Sequence, residues 1–262
     1  MLKIIMFENE KKYINAFLKL PKVLYKNNNT EDRKTTEMLL LGKHPLNKYF
    51  QLHKFIVYDG NQVVGRFVIT TYPDNNIAYL GLYECIQNDE VAGAIFKKAY
   101  EFCKANCYLQ IVGPVDCSFW IKYRLKVNMF EKPYTSEPYN KEYYLNQFLN
   151  NGYEICEKYG SNVYEKFEMN YMDEKTEHGY KIFEKKGYKI VKPNKETFDK
   201  SIREVYKMIM ELYSDFPIFK PISESDFLLI FGKLSSIVNY DMIRMAYYQN
   251  EAVRIFYLNS KL

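Results

Sequence analysis

One joint in the chain limits the fold more than any other feature, because a nearly continuous apolar run passes directly into a helical pattern. The run is IAYLGLYECI, residues 77–86, and it is typical of a strand that is buried on both faces of a sheet. Residues 89–106 then place apolar side chains at helical spacing. They are Val91, Ala94, Ile95, Ala99 and Phe102. A buried strand followed at once by an amphipathic helix predicts an α/β fold.

The segments on either side of this joint add strands of both directions. Residues 54–72 predict a β-hairpin, because two apolar runs flank DGNQ and Asp-Gly is a strong turn signal. Residues 107–116, CYLQIVGPVD, predict another buried strand, which ends at Gly113-Pro114. A helix, the stop at Gly152 and a further strand follow. Hairpins combined with strand–helix–strand units predict one sheet with mixed strand directions.

Composition and charge narrow the class of protein. The net charge of +5 is spread among Asp and Glu without a basic run, which disfavours nucleic-acid binding. Five cysteines without a CxxC pair and three isolated histidines favour neither a disulfide framework nor a metal site. No apolar run is long enough for a membrane span or a signal peptide. We therefore expect free thiols in a reducing cytoplasm, no metal and no membrane partner.

The tail of the chain resembles a second start. FEKKGYKIVKP, residues 183–193, matches FLNNGYEICEK, residues 148–158, and a late hairpin matches the one at residues 54–72. This pattern predicts a first domain at residues 1–168 and a partial repeat at residues 169–262. The repeat is expected to pack on the first domain, since half a sheet cannot bury its own apolar face. The alternative is that any two α/β segments look alike at this level of detail.

Several stretches in the first 165 residues together resemble the GNAT superfamily of acyl-CoA-dependent N-acyltransferases, in an uncharacterised bacterial branch with tandem GNAT-like halves. They are FLKLPKVLY, HP, DGNQVVGRF, GLYECIQNDEVAGAIFKKAYEF, IVGPVD and EPYNKEYYLNQFLNNGYE. The resemblance implies a GNAT-like, mixed and mostly antiparallel central sheet flanked by helices. A partial second GNAT-like half would follow it.

The resemblance also implies a site for acetyl-CoA or another acyl-CoA at the joint described first. The central strand would bind the pantetheine arm, and the turn with the helix N-terminus would hold the pyrophosphate. The implied residues are Leu82, Tyr83, Cys85, Ile86, Gln87, Val91, Ala92, Gly93 and Ala94. The turn departs from the family, because it is poor in glycine and carries Asp89 and Glu90. Either these acids turn outward beside the helix end, or the joint does not bind CoA.

The resemblance places three candidate catalytic residues. Glu84 lies on the central strand, where apolar neighbours would raise its pKa and suit it to act as a base. Tyr143 and Tyr144 begin the later helix, where a tyrosine acid is expected. A structural ion pair for Glu84 and aromatic packing for the tyrosines are the alternatives. The aromatic loop between residues 113 and 140 offers Trp120, Tyr123, Tyr134 and Tyr139 as lining for an acceptor site, or packs as structure.

Two functions follow from these features. The first is an N-acyltransferase that passes an acyl group directly from acyl-CoA to a small amine or amino-acid-like acceptor. The second is a catalytically degenerate GNAT-like scaffold that binds a ligand or forms a homodimer through an exposed strand edge. An open V between the strands LYECI and YLQIV would favour the enzyme, and a closed gap would favour the scaffold.

Overall fold

The computed structural model describes residues 1–26, 31–73, 75–131, 137–161 and 174–257. These residues form two compact units. The first unit contains Met1–Glu154 together with Pro217–Ile222, and the second contains Ile155–Phe216 and the chain from Ser223 onward. The predicted boundary between residues 168 and 169 lies outside the described residues. The expected packing of the second half on the first stays a prediction.

The first unit is an α/β structure built on one five-stranded sheet. In chain order it contains β1 (Leu2–Phe7), α1 (Lys11–Tyr25), α2 (Arg33–Leu40), a 3-10 helix (Pro45–Tyr49), β2 (Gln51–Asp59), β3 (Gln62–Thr71), β4 (Ile77–Cys85), α3 (Asp89–Ala105), β5 (Gln110–Val112), β6 (Val115–Asp116), β7 (Lys122–Tyr123) and α4 (Tyr144–Leu149). The sheet order is β1-β2-β3-β4-β5, and β6 pairs with β7 separately. Strands β1 to β4 are antiparallel and β5 is parallel to β4. The predicted mixed, mostly antiparallel sheet flanked by helices is therefore confirmed.

The main hydrophobic core lies between the sheet and α3. Val91, Ile95 and Ala99 of α3 pack on Phe55 and Phe67, whose rings stack with centroids 4.6 Å apart. The opposite face of β3 presents Arg66 to α1, where the guanidinium lies 4.5 Å from the centre of the Phe17 ring. Strand β3 therefore separates an apolar face from a face that carries a buried charge.

A β-bulge in β4 changes which face each later residue occupies. Gly81 pairs with Val68 and Glu84 pairs with Arg66, so the register shifts between these two pairs. Before the bulge, Ala78 and Leu80 face the α3 core, and after it Tyr83 and Cys85 do so. Glu84 consequently points to the α1 face, beside Arg66.

The second unit repeats the first part of the first unit. It contains α5 (Glu174–Lys185), β8 (Tyr188–Val191), α6 (Phe198–Leu212), α7 (Glu224–Phe231), 3-10 helices at Gly232–Ser236 and Tyr240–Met242, β9 (Ile243–Tyr248) and β10 (Glu251–Tyr257). Its sheet order, β10-β9-β8 with antiparallel pairs, matches that of β3-β2-β1. Two helices connect the first two strands in each case. The topology thus matches the predicted partial repeat.

Two smaller observations complete the fold. The strand expected after Gly152 does not form over residues 153–161, where the chain is mostly exposed, and its continuation lies outside the described residues. Among the helices of the described chain, none has the length and apolar character needed to cross a membrane.

Candidate active site

Glu84 is a buried carboxylate on the α1 face of the central strand. Its Oε1 atom lies 3.8 Å from Nη2 of Arg66, and its Oε2 atom accepts a hydrogen bond of 2.5 Å from the hydroxyl of Tyr144. Burial raises the pKa of Glu84 above its ordinary value, while the Arg66 charge and the Tyr144 bond act in the opposite direction. This is the direction that the sequence analysis expects for Glu84.

Arg66 is shared between two carboxylates. Its Nη2 atom donates to Oε1 of Glu31 at 2.6 Å, and its Nη1 atom donates to the backbone oxygen of Phe17 at 2.8 Å. The closer carboxylate is therefore Glu31, and Glu84 lies at the longer distance. A carboxylate that is buried but only partly compensated is suited to take up a proton.

Tyr144 connects Glu84 to the backbone of β4. Its hydroxyl donates to Glu84 and accepts the backbone N–H of Cys85 at 3.1 Å. Burial and the neighbouring Glu84 charge raise the pKa of Tyr144, so the phenol stays protonated and able to donate. The structure thus brings Glu84 and Tyr144, two of the three predicted catalytic residues, into direct contact.

Tyr143 lies beside this pair but does not bond to Glu84. Its hydroxyl donates to the backbone oxygen of Cys85 at 2.9 Å. Gln147, one turn further along α4, donates to the backbone oxygen of Ile86 at 3.0 Å and accepts from the hydroxyl of Tyr83 at 2.8 Å. Side chains at α4 therefore form hydrogen bonds with the backbone groups along the edge of β4 beyond the bulge.

The ladder between β4 and β5 covers only one end of β4. The two strands pair from Ile77–Gln110 to Tyr79–Val112, and the chain after β5 continues along β4. A Cβ atom on Gly113 would lie 2.9 Å from the Leu80 oxygen, and one on Gly81 would lie 1.9 Å from the Val115 oxygen. Beyond Tyr79 the strand β5 does not pair with β4, and the side chains of Tyr143, Tyr144 and Gln147 bond to the backbone of Cys85 and Ile86 instead. The sheet is therefore not fully paired at LYECI, and side chains bond where the sequence analysis expects either an open V or a closed sheet.

The N-terminus of α3 is also occupied by the chain itself. The side-chain oxygen of Asn88 accepts the backbone N–H groups of Glu90 and Val91 at 2.9 and 3.1 Å. Asp89 and Glu90 are exposed, as one of the two alternatives for the acidic turn requires. A pyrophosphate at this helix end would have to replace the Asn88 cap.

The residues expected to bind acyl-CoA lie along this joint in three groups. The residues of β4 are buried, namely Leu82, Tyr83 and Cys85. In the turn, Ile86 is half-buried and Gln87 is exposed. In α3, Val91 and Ala92 are buried, whereas Gly93 and Ala94 are half-buried. They are contiguous in space, but their role as a donor site stays a prediction.

Sequence reasoning missed several residues of the site. They are Arg66, Glu31, Asp116 and Gln147. Arg66 and Asp116 stand inside the quoted stretches DGNQVVGRF and IVGPVD, but no spacing rule connects either of them to Glu84. Of the proposed acceptor lining, Tyr139 packs on the ring of Tyr25 with centroids 5.7 Å apart. Tyr134 lies outside the described residues.

Trp120 and Tyr123 have structural contacts of their own. The indole of Trp120 donates to the backbone oxygen of Lys220 at 2.8 Å, within the first unit. The ring of Tyr123 stacks on Phe119 with centroids 5.3 Å apart. These contacts match the alternative that this part of the loop packs as structure.

Comparison with known proteins gives structural likenesses only. A scan against models of protein families and a search of curated proteins find no match. An aminoglycoside acetyltransferase from an uncultured soil metagenomic sample, in complex with sisomicin, is 14% identical with a TM-score of 0.40, covering 64% of this chain and 97% of its own. A tandem GNAT protein from the clavulanic acid biosynthesis pathway is 10% identical with a TM-score of 0.47, covering 96% of this chain and 72% of its own.

A third similar structure is that of AAC(6')-Iy in complex with a bisubstrate analog, CoA-S-monomethyl-acetylneamine. It is 11% identical with a TM-score of 0.38, covering 64% of this chain and 99% of its own.

Proposed function

We propose that the chain is a GNAT-type N-acyltransferase that transfers an acyl group directly from acyl-CoA to a small amine. The observation that carries the proposal is the buried contact between the Glu84 carboxylate and the Tyr144 hydroxyl on the central strand. A carboxylate with a raised pKa and a protonated phenol are the two groups that transfer to an amine needs. Both lie beside the backbone of β4, which the donor would follow.

Glu84 is the base in this proposal. An amine acceptor arrives as an ammonium ion and cannot attack a thioester until it loses a proton, which Glu84 would accept. The free amine then forms the new C–N bond while the C–S bond breaks, and the nitrogen releases its second proton to solvent. Tyr144 would give its proton to the departing thiolate and regain one from Glu84, to which it is already hydrogen-bonded.

The fit of a donor depends on α4. The carbonyls of Cys85 and Ile86 and the N–H of Cys85 face α4 and are bonded to side chains, not to another strand. The amide groups of a pantetheine arm can make the same bonds. The donor fits this edge when Tyr143 and Gln147 release it, so binding requires a shift of α4 side chains.

The side-chain bonds to the edge of β4 favour a second function, a scaffold that does not bind acyl-CoA. A stable, non-catalytic protein needs no free backbone groups on β4. It is also compatible with the Asn88 cap and the acidic turn at the start of α3. Glu84 would then be only a member of the Arg66 ion network. Such a scaffold would act through another ligand or a second copy of itself.

Isothermal calorimetry with acetyl-CoA and longer acyl-CoAs separates the two functions. The enzyme predicts saturable binding by the wild type and by Glu84→Gln, because the substitution removes the base and not the donor site. Absence of binding at millimolar concentration in both proteins contradicts the enzyme. Sedimentation over a wide concentration range then tests the scaffold, since a pure monomer excludes pairing of copies.

A further inference from the structure

The bulge in β4 depends on one side chain from outside the main sheet. Leu82 lies in the bulge with a φ of 44°, a left-handed backbone conformation that residues other than glycine rarely adopt. The pairing with β3 runs from Gly81 to Glu84 without a partner for Leu82, so the Leu82 N–H is not part of the β3–β4 ladder. That N–H instead donates to Oδ1 of Asp116 at 2.6 Å, in a buried contact.

Asp116 is itself held firmly in place. It lies in β6, where it pairs with Lys122 of β7, and its Oδ2 atom is 3.4 Å from the Lys122 ammonium. The backbone of β6 packs directly on β4, because only the absence of a side chain at Gly81 leaves room for the Val115 oxygen. The carboxylate is therefore presented to Leu82 by a close backbone contact between β6 and β4.

The bulge decides on which face Glu84 lies. Side chains alternate along a strand, so without the extra residue Glu84 would share the face of Ala78 and Leu80, which packs on α3. With the bulge it lies beside Arg66 and Tyr144. Any group that holds the bulge thus also holds the candidate base in its site.

We propose that Asp116 is a positioning residue, which fixes the β4 bulge through the Leu82 N–H and thereby places Glu84 beside Tyr144. As a role in acyl transfer, this inference rests on the proposed function. The lock itself is a property of the protein that can be measured without any donor or acceptor.

Three variants separate the lock from the charge of Asp116. Asp116→Asn keeps an oxygen that can accept the Leu82 N–H but removes the negative charge. Asp116→Ala removes the acceptor. Lys122→Ala is the matched control, since it removes the charged partner of Asp116 and leaves the bond to Leu82.

Two readouts are taken by NMR on the full chain, the exchange rate of the Leu82 amide proton and the pKa of the Glu84 side chain. In Asp116→Ala we expect Leu82 exchange to rise at least about tenfold. We also expect the pKa of Glu84 to fall toward its ordinary value of 4.5. In Asp116→Asn both readouts should stay at wild-type values. In Lys122→Ala the exchange of Leu82 should stay at the wild-type value, while the pKa of Glu84 should rise, because the Lys122 charge lowers it.

Wild-type exchange and titration in Asp116→Ala would overturn the lock. If Asp116→Ala does not fold, Asp116→Asn decides: retained readouts support the lock, and lost readouts show that the charge is what matters and overturn it. A failure of the wild type to bind acyl-CoA would contradict the proposed function and leave these readouts unaffected.

Discussion

At the scale of single residues, the site is a case of two carboxylates competing for one guanidinium. Arg66 bonds Glu31 at 2.6 Å and reaches Glu84 only at 3.8 Å. Burial therefore opposes the ionisation of Glu84, and the Tyr144 hydroxyl is the nearest group that donates a hydrogen bond to it. A buried charge with incomplete compensation lowers stability, and such an arrangement is found more often at sites of function than in inert cores.

The raised pKa of Glu84 predicts how stability changes with pH. Between its ordinary pKa and the raised one, the folded state binds the proton more than the unfolded state does. The free energy of unfolding contributed by Glu84 therefore falls as pH rises through this window. Glu84→Gln cannot ionise, so its stability relative to the wild type should increase with pH.

Urea unfolding of the wild type and Glu84→Gln between about pH 4 and pH 8 measures this difference in stability. This range is chosen because carboxyl groups with raised pKa values titrate within it. Glu90→Gln is the matched control, because Glu90 is exposed at the start of α3. A difference between wild type and Glu84→Gln that stays constant with pH would contradict the account.

The sequence identified single residues of the candidate site more readily than the side chains that contact them. Glu84 and Tyr144 were identified by their place in the resemblance, and the two side chains are in contact. Arg66 and Asp116 were not identified, because Arg66 meets Glu84 through the strand register and Asp116 bonds the bulge at Leu82. One extra residue in β4 reverses the face of every residue after it, and no local pattern in GLYECI marks that residue.

At the scale of elements, α4 is the part of the fold that decides between the two functions. This six-residue helix and the residue before it, Tyr143, supply the hydrogen bonds that a donor would otherwise make to β4. These bonds are few and can be removed one at a time. The sequence could not predict them, since they depend on where Tyr143 and Gln147 reach in three dimensions.

Tyr143→Phe tests the competition between α4 and the donor. The variant loses one bond, to the Cys85 oxygen at 2.9 Å, and keeps the ring. Because such a bond contributes about 0.5–1.5 kcal/mol, acetyl-CoA should bind about 2- to 10-fold more tightly. Calorimetry measures the change, with Tyr180→Phe on the exposed α5 as the control. An unchanged or weaker affinity would show that Tyr143 does not compete with the donor.

Gly81 and Gly93 form a matched pair for the contact between β4 and β6. A Cβ on Gly81 meets the Val115 oxygen at 1.9 Å, so Gly81→Ala should lower the free energy of unfolding by at least about 2 kcal/mol. A Cβ on Gly93 meets only Asn151 at 3.7 Å, so Gly93→Ala should raise it by up to about 1 kcal/mol. Urea unfolding followed by Trp120 fluorescence measures both. Equal stabilities would contradict the close backbone contact.

At the scale of the whole molecule, the first unit is completed by a segment that is distant in sequence. Pro217–Ile222 belongs to it, and Phe219 packs against Phe119 and Trp120 with ring centroids 5.2 and 5.5 Å away. The repeat of strand order could be predicted from matching stretches of sequence. The return of this segment could not, because PIFKPI carries no signal of its partner.

Phe219→Ala tests this completion of the first unit. Loss of a buried aromatic ring should lower the free energy of unfolding by about 3–5 kcal/mol. The single tryptophan, Trp120, reports on the first unit by fluorescence. The control is Leu229→Ala, an exposed residue of the second unit, which should change stability by less than about 0.5 kcal/mol. A Phe219→Ala curve that coincides with the wild type would exclude a structural role for the segment.

The most direct test of the account is product formation by the full chain. The wild type and Glu84→Gln are mixed with acetyl-CoA or longer acyl-CoAs and a panel of small primary amines and amino acids, and acylated amines are detected by mass spectrometry. The account predicts an acylated amine with the wild type and a rate at least about 100-fold lower with Glu84→Gln. No acylated amine from the wild type with any donor, or equal rates in the two proteins, would contradict it.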